Sequence, residues 1–275
     1  MRKYLRSASI LIGPPGQEGL AFSSDRFRMA FTVTKTLEQD ANRFQASVYG
    51  LSRQSQDMVT RLENSVILSA GYQGAEEVIA IGDIETYETI RQPPDVVTSI
   101  ECGDGIRTLR DSRSNISISD TVSVRRILDR FATDLGVELR ETTVDLGEPF
   151  ENGFSFNGKT KDGLAVLARR GEWGWSIQGG ELQISPQRGP ALDDVIVVSA
   201  ATGMINRPER LDELTPQQED EGWRVSTLLE PDAEPGMLLE IESDIISGMY
   251  SIKTVEHAGD TRGQDWTTTM EVSEL

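Results

Sequence analysis

Apolar and polar residues alternate along most of the first hundred positions, which is the two-residue period of half-buried β-strands. Turn sequences such as ProProGly and GlnProPro separate the alternating stretches. One short helix is predicted between them, with Ser52 as its N-cap and Met58, Val59 and Leu62 as an apolar stripe. Six strands are predicted: Leu5–Ile12, Phe27–Thr34, Phe44–Tyr49, Ser65–Ala70, Val78–Tyr87 and Val96–Cys102. Residues 1–103 are therefore predicted to form a small β-barrel or sandwich.

The period changes to that of amphipathic helices between residues 104 and 192. The sequence TVSVRRILDRFATDLG places five apolar residues on one helical face, with Ser123 or Thr121 as N-cap and Gly136 at the C-terminal end. Those five residues are Val124, Ile127, Leu128, Phe131 and Leu135. A second helix is predicted over about 161–170, and a hairpin of GlyTrpSerIle and GluLeuGlnIle follows it. We interpret this segment as an α+β module.

Strand-like alternation returns in residues 193–275, which are predicted to form a second small antiparallel barrel. The stretch 206–222, NRPERLDELTPQQEDEG, interrupts the alternation. Because it is polar, acidic and contains two prolines, we predict a mobile loop. The predicted fold class is therefore mainly β with an α+β insert, in which two small antiparallel β-barrels flank the α+β module.

The formal net charge of −18 is concentrated in the last predicted segment. Residues 193–275 contain 19 acidic and 5 basic residues, whereas the first two segments are close to neutral. The negative electrostatic potential of this segment repels nucleic-acid phosphates, so a DNA-binding surface is not expected there. No apolar run approaches the ~20 residues of a membrane span, and the short apolar stretch near the basic N-terminus does not fit a signal peptide. We expect a protein that is made and folded in a cytoplasm.

The octapeptide GFSFNGKT, Gly153–Thr160, fits the phosphate-loop pattern G-x-x-x-x-G-K-[ST] at every required position. A working phosphate loop follows a buried strand, but the residues before this octapeptide are the turn-like GlyGluProPheGluAsn. Its two phenylalanines alternate with polar residues, as in a half-buried strand. We therefore predict a strand with both phenylalanines in the core, a turn at Gly158 and a helix capped by Thr160, with Lys159 in solvent.

The chain offers few other groups for chemistry. Cys102 and His257 are its only cysteine and histidine, which excludes disulfides and zinc motifs that need two histidines. A Cys/His pair stays open as a nucleophile, but neither a metal nor a cofactor is predicted. Acidic pairs such as Asp193 and Asp194 are expected to be solvated, and the four tryptophans are expected to be core or interface anchors.

Several stretches, taken in order, match a known pattern. FTVTKTLEQDANRFQASVYGLS has the order strand, polar turn, strand and short helix, and AGYQG, IAIGDI and ECGDG continue it. Near the end come ATGMINRPER, GWRVSTLLEPDAEPGMLLEIES and GMYSIKTVEHAGDTRGQDWTTTMEV. Together these stretches resemble the baseplate hub family of contractile and some long-tailed phages, which is related to the hub of Mu-like phages and to late control protein D. The resemblance covers nearly the whole chain, and it lies in the combination of stretches.

The resemblance implies a non-enzymatic homotrimer in the virion, at the distal end of the tail, assembled in the host cytoplasm. Both barrels of each chain would be tail-tube-like and would alternate round the axis. The ring would adapt the hexameric tail tube above to a trimeric tip or spike below, and DNA would pass through its channel without specific binding. Some relatives have a fused lysozyme, whereas this sequence ends at Leu275, soon after its last predicted strand. Any cell-wall cleavage is expected from another protein.

Two stretches are predicted to make contacts in such an assembly. The helix of the first barrel and the residues leading into it would contact the tube or a neighbour: Gly50, Leu51, Ser52, Met58 and Leu62. The loop 206–222 would dock a partner through Asn206, Arg207, Glu209, Arg210 and Glu213. Two other functions stay open. One is a tip-associated enzyme, either a nucleotide hydrolase using Gly153–Thr160 or a cell-wall hydrolase, and the other is a receptor- or carbohydrate-binding tail module.

Overall fold

The computed structural model describes residues 4–211 and 222–275, and it has the mainly β architecture with an α+β insert that the sequence predicts. Its strands are β1 (Arg6–Gly13), β2 (Leu20–Ser23), β3 (Met29–Thr36), β4 (Arg43–Tyr49), β5 (Ser65–Tyr72), β6 (Ala75–Gln92), β7 (Asp95–Gly103), β8 (Arg113–Ile118), β9 (Glu138–Leu139), β10 (Phe154–Lys159), β11 (Trp173–Gln178), β12 (Glu181–Pro186), β13 (Val195–Ser199), β14 (Glu209–Leu211), β15 (Gly222–Leu228), β16 (Leu238–Glu242), β17 (Ser247–Asp260) and β18 (Trp266–Glu274). Its helices are α1 (Arg53–Val59), α2 (Ile106–Asp111), α3 (Val124–Leu135) and α4 (Thr160–Gly171). Glu213 and most of the predicted loop 206–222 lie outside the described residues.

Strands from both ends of the chain join into one sheet. Its main path is β14-β15-β18-β17-β3-β4-β7-β6-β5-β1-β2, and β16 and β13 extend the sheet beside β17. Because β17 is long, its first half pairs with β16 and its second half pairs with β3. The β17–β3 register runs from Thr254 opposite Thr36 to Asp260 opposite Ala30. The two predicted barrels are therefore parts of one sheet, and the β13–β16 pair is parallel, whereas the prediction was entirely antiparallel.

Three apolar clusters form the interior, one of which contains residues from both ends of the chain. That cluster consists mainly of side chains from residues 8–102, and it also contains Leu229 and Trp266. The Trp266 ring meets Phe31 edge-on with the centroids 5.5 Å apart, and the Arg6 guanidinium lies over the indole. This packing makes the last hairpin part of the first core.

The α+β module forms the helices that its periodicity predicts. α3 begins after Ser123, whose hydroxyl accepts the amide of Arg126, and ends at Gly136 in the left-handed conformation. The five apolar residues predicted on its inner face are all buried. α4 packs against α3, and two small sheets, β10-β8 and β11-β12-β9, complete the module. The β11–β12 hairpin turns at Gly179 and Gly180, both with positive φ.

Several elements differ from the sequence prediction. β2, α2 and β8 are additional, and β2 and α2 are too short to show a period in the sequence. Only Val59 of the predicted α1 stripe is buried. Met58 and Leu62 are exposed, since α1 ends at Val59 and leaves Leu62 beyond the helix. β6 continues to Gln92, past its predicted end. Glu209–Leu211 form a strand inside the predicted loop, because they pair with β15.

We predict that Trp266→Ala lowers the free energy of unfolding by about 3–5 kcal/mol, because it leaves a cavity in the shared core. The control Val166→Ala, at an exposed position on α4, should change it by less than about 0.5 kcal/mol. Urea unfolding followed by circular dichroism measures both values. A loss for Trp266→Ala as small as that of the control would contradict the packing of the last hairpin in the first core.

Candidate functional site

The phosphate-loop pattern lies in a strand and the start of a helix. Residues Phe154–Lys159 form β10, which pairs in antiparallel register with β8. Thr160 begins α4, and its amide donates to the carbonyl oxygen of Ser112. An extended strand does not wrap its amides round a phosphate. The octapeptide is therefore not folded as a phosphate cradle.

Two predicted details of this octapeptide are wrong. Gly158 is paired with Ser114 inside β10 and does not form a turn. Lys159, not Thr160, occupies the N-cap position of α4, and it makes no side-chain capping bond. The reason is that Thr160 is fully buried and its hydroxyl hydrogen-bonds to that of Ser114 at 2.9 Å. The threonine ties the helix to the neighbouring strand.

The predicted orientation of the side chains is confirmed. Phe154 and Phe156 meet Phe131 of α3 edge-on, with ring centroids 6.3 and 5.5 Å apart, while Lys159 is exposed. α4 approaches this cluster at Gly163, where a Cβ would lie 2.4 Å from the Phe131 ring. The phenylalanines of the octapeptide are thus part of the packed interior of the module.

The other candidate groups are also part of the interior. Cys102 is buried, and burial raises the pKa of its thiol. His257 is fully buried with Nδ1 2.8 Å from the Thr268 hydroxyl, and burial lowers its pKa well below the usual range. Three tryptophans are buried and one is partly buried: Trp173, Trp175, Trp266 and Trp223. Within residues 4–211 and 222–275, no three potential ligands from His, Cys, Asp and Glu cluster as a metal site, and no helix is long and apolar enough to cross a membrane.

The first predicted contact stretch is only partly available to a partner. Leu51 is buried in the first core, so its predicted contact with a partner is wrong. The other four residues are exposed: Gly50, Ser52, Met58 and Leu62. The stretch is joined to β7 at its start, because the amide of Gly50 donates to the carbonyl oxygen of Val96. These exposed residues therefore stay candidates for a contact.

The second predicted contact stretch lies at one end of the last segment. Asn206, Arg207, Glu209 and Arg210 are exposed, and Glu213 is outside the described residues. The Arg207 guanidinium forms an ion pair of 2.6 Å with Asp244, and both residues line an open groove. The described part of this stretch is thus held by this ion pair and by the pairing of Glu209 and Arg210 with β15.

One long polar face runs across the shared sheet. Eight adjacent strands, β14, β15, β18, β17, β3, β4, β7 and β6, are each antiparallel to their neighbours. The side chains that point away from the cores of these strands are mainly serine, threonine and acidic residues. We call this surface the polar sheet face, and its central members are Ser226, Thr269, Glu256, Thr32, Gln45 and Glu101.

The polar sheet face is held by cross-strand hydrogen bonds, one of them from the Thr86 hydroxyl to Glu101, and it contains acidic groups without a cationic partner among the described residues. The hydroxyls of Ser47 and Ser99 lie 2.7 Å apart across β4 and β7. Gln45 faces Thr32 on one side and Glu101 on the other, so these three residues form one row across the sheet. Neither Glu101 nor Glu256 forms an ion pair within 4 Å in the part of the chain that the structure describes.

The polar sheet face ends at a free strand edge. β6 pairs with β5 only as far as Asp83. Beyond that point, Thr86–Gln92 pairs with β7 on one side, and no strand of the described chain pairs with the other side. Tyr87 and Ile90 are exposed on this segment. An unpaired edge of this kind is a template for a strand of another chain.

The polar sheet face was not predicted, although part of its signal is present in the sequence. Thr32, Thr34 and Thr36 occupy alternate positions of FTVTKT, and Thr267 and Thr269 do so in DWTTTMEV. The free edge has no comparable signal, because ETYETIRQ does not alternate between apolar and polar residues. The sequence also does not show which strands become neighbours.

Solved structures of other proteins share the fold of this chain. The sequence matches no model of a known protein family and no curated protein. The 43 kDa tail protein of prophage MuSo2 from Shewanella oneidensis has a similar structure, with a TM-score of 0.68, 12% identity and coverage of 98% of this chain and 97% of that one. A tail protein from Neisseria meningitidis MC58 has a TM-score of 0.66 at 10% identity, and the match covers 98% of this chain and 97% of that one. The E. coli c3393 protein is a type VI secretion component described as similar to the T4 tail proteins gp27 and gp5. Its TM-score is 0.56 at 10% identity, and the match covers 96% of this chain and 76% of that one. The chain therefore shares the fold of phage tail proteins.

We predict that Thr160→Val destabilises the protein by about 1–3 kcal/mol, because it leaves the buried Ser114 hydroxyl without its partner. Lys159→Ala should leave stability within about 0.5 kcal/mol of the original, since the side chain is exposed. Thermal unfolding tests both, and equilibrium dialysis with ATP tests the site directly. Binding of ATP that Lys159→Ala abolishes would restore the nucleotide hypothesis.

Proposed function

We propose that this chain is a structural hub of a phage tail or a related particle. Three copies form a ring that adapts a hexameric tail tube to a trimeric tip and lines the DNA channel. The observation that best supports this proposal is the polar sheet face, which spans both ends of the chain without a break. The shared fold with phage tail proteins is consistent with a structural role in a tail.

Ring formation is supported by the number and direction of the strands. Because eight antiparallel strands are an even number, β14 of one copy and β6 of the next would again be antiparallel. At a strand spacing of about 4.8 Å, three copies give a closed ring about 37 Å in diameter at the backbone. A head-to-tail contact that closes after three copies leaves no free edge. The exposed edge of Thr86–Gln92 then has a defined partner in each copy.

The chemistry of the polar sheet face suits a passage for DNA. Serine and threonine hydroxyls keep the surface wetted, and the carboxylates of Glu101 and Glu256 repel phosphates. Few cations are available to retain the duplex, and Arg224 is neutralised by Glu271 at 2.7 Å. A DNA duplex would therefore slide past this wall with few attractive contacts.

The remaining contacts of the hub are assigned to exposed segments. The tail tube above would contact the exposed residues at and around α1, namely Gly50, Ser52, Met58 and Leu62. Tip or other baseplate proteins would contact the region of Asn206 to Arg210. In this proposal the α+β module lies outside the channel, because none of its strands belongs to the eight-stranded face. The three domains would then divide at residues 103 and 192.

We predict that Tyr87→Lys with Ile90→Lys prevents trimer formation, because charge on an edge strand blocks pairing with another strand. The matched control is Val78→Lys, an exposed apolar position of the same strand where β5 already pairs with it. Analytical ultracentrifugation, with and without the tail tube and tip proteins, gives the oligomeric state. A trimer that survives the double substitution would exclude this edge, and a wild-type chain that stays monomeric with both proteins present would exclude the hub.

We predict that lysines at Thr32, Gln45 and Glu101 slow DNA ejection from assembled particles, because one row of cations would then attract phosphates in the channel. The control places lysines at the exposed module positions Ser117, Asn157 and Glu151, with the same change in net charge. Ejection is followed by a DNA-binding dye as a function of salt. Equal rates for the two variants would contradict the position of the polar sheet face in the channel.

A further inference from the structure

The α+β module has its own apolar core, against which Ala41 of the first barrel packs, and its other contacts with the barrels described here are polar. Its core cluster shares no buried residue with the clusters of the two barrels. At the first contact, the Asn42 side-chain amide donates to the Ile177 carbonyl at 3.0 Å and to Gln178 at 2.7 Å. Gln178 in turn donates to the carbonyl oxygen of Thr36 at 2.6 Å. Polar interfaces between separately packed units permit relative motion.

A second polar contact joins the module to the last segment. Arg140 forms ion pairs with Glu181 of the module at 2.7 Å and with Glu234 of the last segment at 2.8 Å. The Gln183 side-chain amide donates to the carbonyl oxygen of Pro235 at 3.1 Å. Both contacts involve the β11–β12 hairpin or its immediate neighbours. This hairpin is therefore the part of the module that both barrels hold.

The chain enters and leaves the module at two points that have glycines in turn conformations. Gly105, between β7 and α2, has φ of 64°, and Gly189, between β12 and β13, has φ of 85°. Such positions absorb backbone rotation at low cost. Two crossings of this kind form a hinge, and the β17–β3 pairing that joins the barrels does not pass through it.

Buried charges lie at the pivot of this hinge. Asp104 is 5% exposed, and its Oδ2 accepts the amide of Gly179 at 2.7 Å, which holds the hairpin turn. Lys35 is 7% exposed and forms no hydrogen bond or ion pair within 4 Å among the described residues. Both line one small cavity, together with Asn42, Gly179 and Glu234. A buried ammonium without a direct partner is costly, so the site is not optimised for stability.

The charges around Asp104 come from every segment that meets there. The pKa of Asp104 is raised to about 6, mainly by burial and also by the charge of Asp83, whereas the amides of Gly179 and Gly180 and the charge of Lys35 act to lower it. Asp83 is itself 3.4 Å from Arg107. Burial lowers the pKa of Lys35, which in addition faces the charged groups Glu234 and Arg140 and the neutral His257. The carboxyl of Asp104 is thus the group at the pivot that changes charge between mildly acidic and neutral pH.

We propose that the α+β module is a hinged unit that closes on the barrels through the Asp104 clamp, and that loss of the Asp104 proton weakens this closure. The inference goes beyond the hub function, because it concerns the orientation of the module in the free chain. In the open form Asp104 is in water and titrates near its ordinary pKa of 3.8, whereas in the closed form its pKa is about 6. Closure is therefore strongest below pH 4, weakens as the pH rises to about 6, and is constant above that.

Hydrogen exchange of the full chain measures this closure. The reporter is the Gly179 amide with its neighbours in the hairpin turn, and the references are amides of β8–β10 in the module and of β3–β17 in the barrels. After division by intrinsic exchange rates, the protection of the Gly179 amide should fall about 20-fold from pH 4.5 to pH 7.5. The reference amides should change little. Parallel loss of protection at all sites would indicate global unfolding and would overturn the hinge.

Two variants identify the titrating group. Asp104→Asn should remove the pH dependence at Gly179, because the amide is neutral throughout. Lys35→Met should move the midpoint to higher pH, because the Lys35 charge favours the ionised carboxyl. If Asp104→Asn does not fold, the pH midpoint of Gly179 protection in Lys35→Met tests the proposal by itself. A protection ratio that is flat in the wild-type chain, or a midpoint that Lys35→Met leaves unchanged, would overturn the proposal.

Discussion

The antiparallel pairing of β17 with β3 is the constraint on which the rest of the structure depends. It brings together the two ends of the sequence. Closing the loop between them lowers the entropy of the chain, and contacts within each segment do not offset that loss. Side chains around the join offset this cost. Trp266 packs on Phe31, and the Arg28 guanidinium forms an ion pair of 2.6 Å with Asp260 while stacking on the Tyr49 ring. Without this pairing there would be two short sheets and no continuous polar face.

The same pairing explains why the middle of the chain is a separate unit. Once the first and last segments are joined strand to strand, residues 104–192 must leave and return on one side of the sheet. The module therefore packs its own core round Phe131 and the tryptophans Trp173 and Trp175. Its contacts with the barrels are left to groups such as Asn42 and Arg140, which hydrogen-bond across the boundary. In the proposed ring, the continuous sheet would form the wall and the separately packed module would lie outside it.

Local signals in the sequence were sufficient for the longer elements but not for short ones such as β2 and α2, and they did not show which strands pair. α3 could be predicted because its apolar period, the Ser123 cap and Gly136 all lie within a few residues of one another. The β17–β3 pairing could not, since nothing near Thr36 specifies Thr254 as its neighbour. β14 was predicted as loop because Glu209–Leu211 become a strand only through β15.

In the candidate site, too, the sequence shows the local pattern but not the surroundings that determine its structure. The phosphate-loop pattern is a local coincidence, and its context, above all the Thr160 and Ser114 hydrogen bond, decides the structure. The row of Thr32, Gln45 and Glu101 is the opposite case, because three residues that are far apart in the sequence become neighbours only when three strands align them. Leu51 was wrongly placed in a contact since the sequence does not show which side of the strand end faces the core.

A cryo-electron-microscopy reconstruction of the assembled tail end would show whether the proposed ring forms. We expect three copies of this chain round the axis, with the row of Thr32, Gln45 and Glu101 facing the channel and β14 of each copy beside β6 of the next. Copies whose polar sheet face points away from the axis, or a ring in which the Thr86–Gln92 edge remains unpaired, would contradict it.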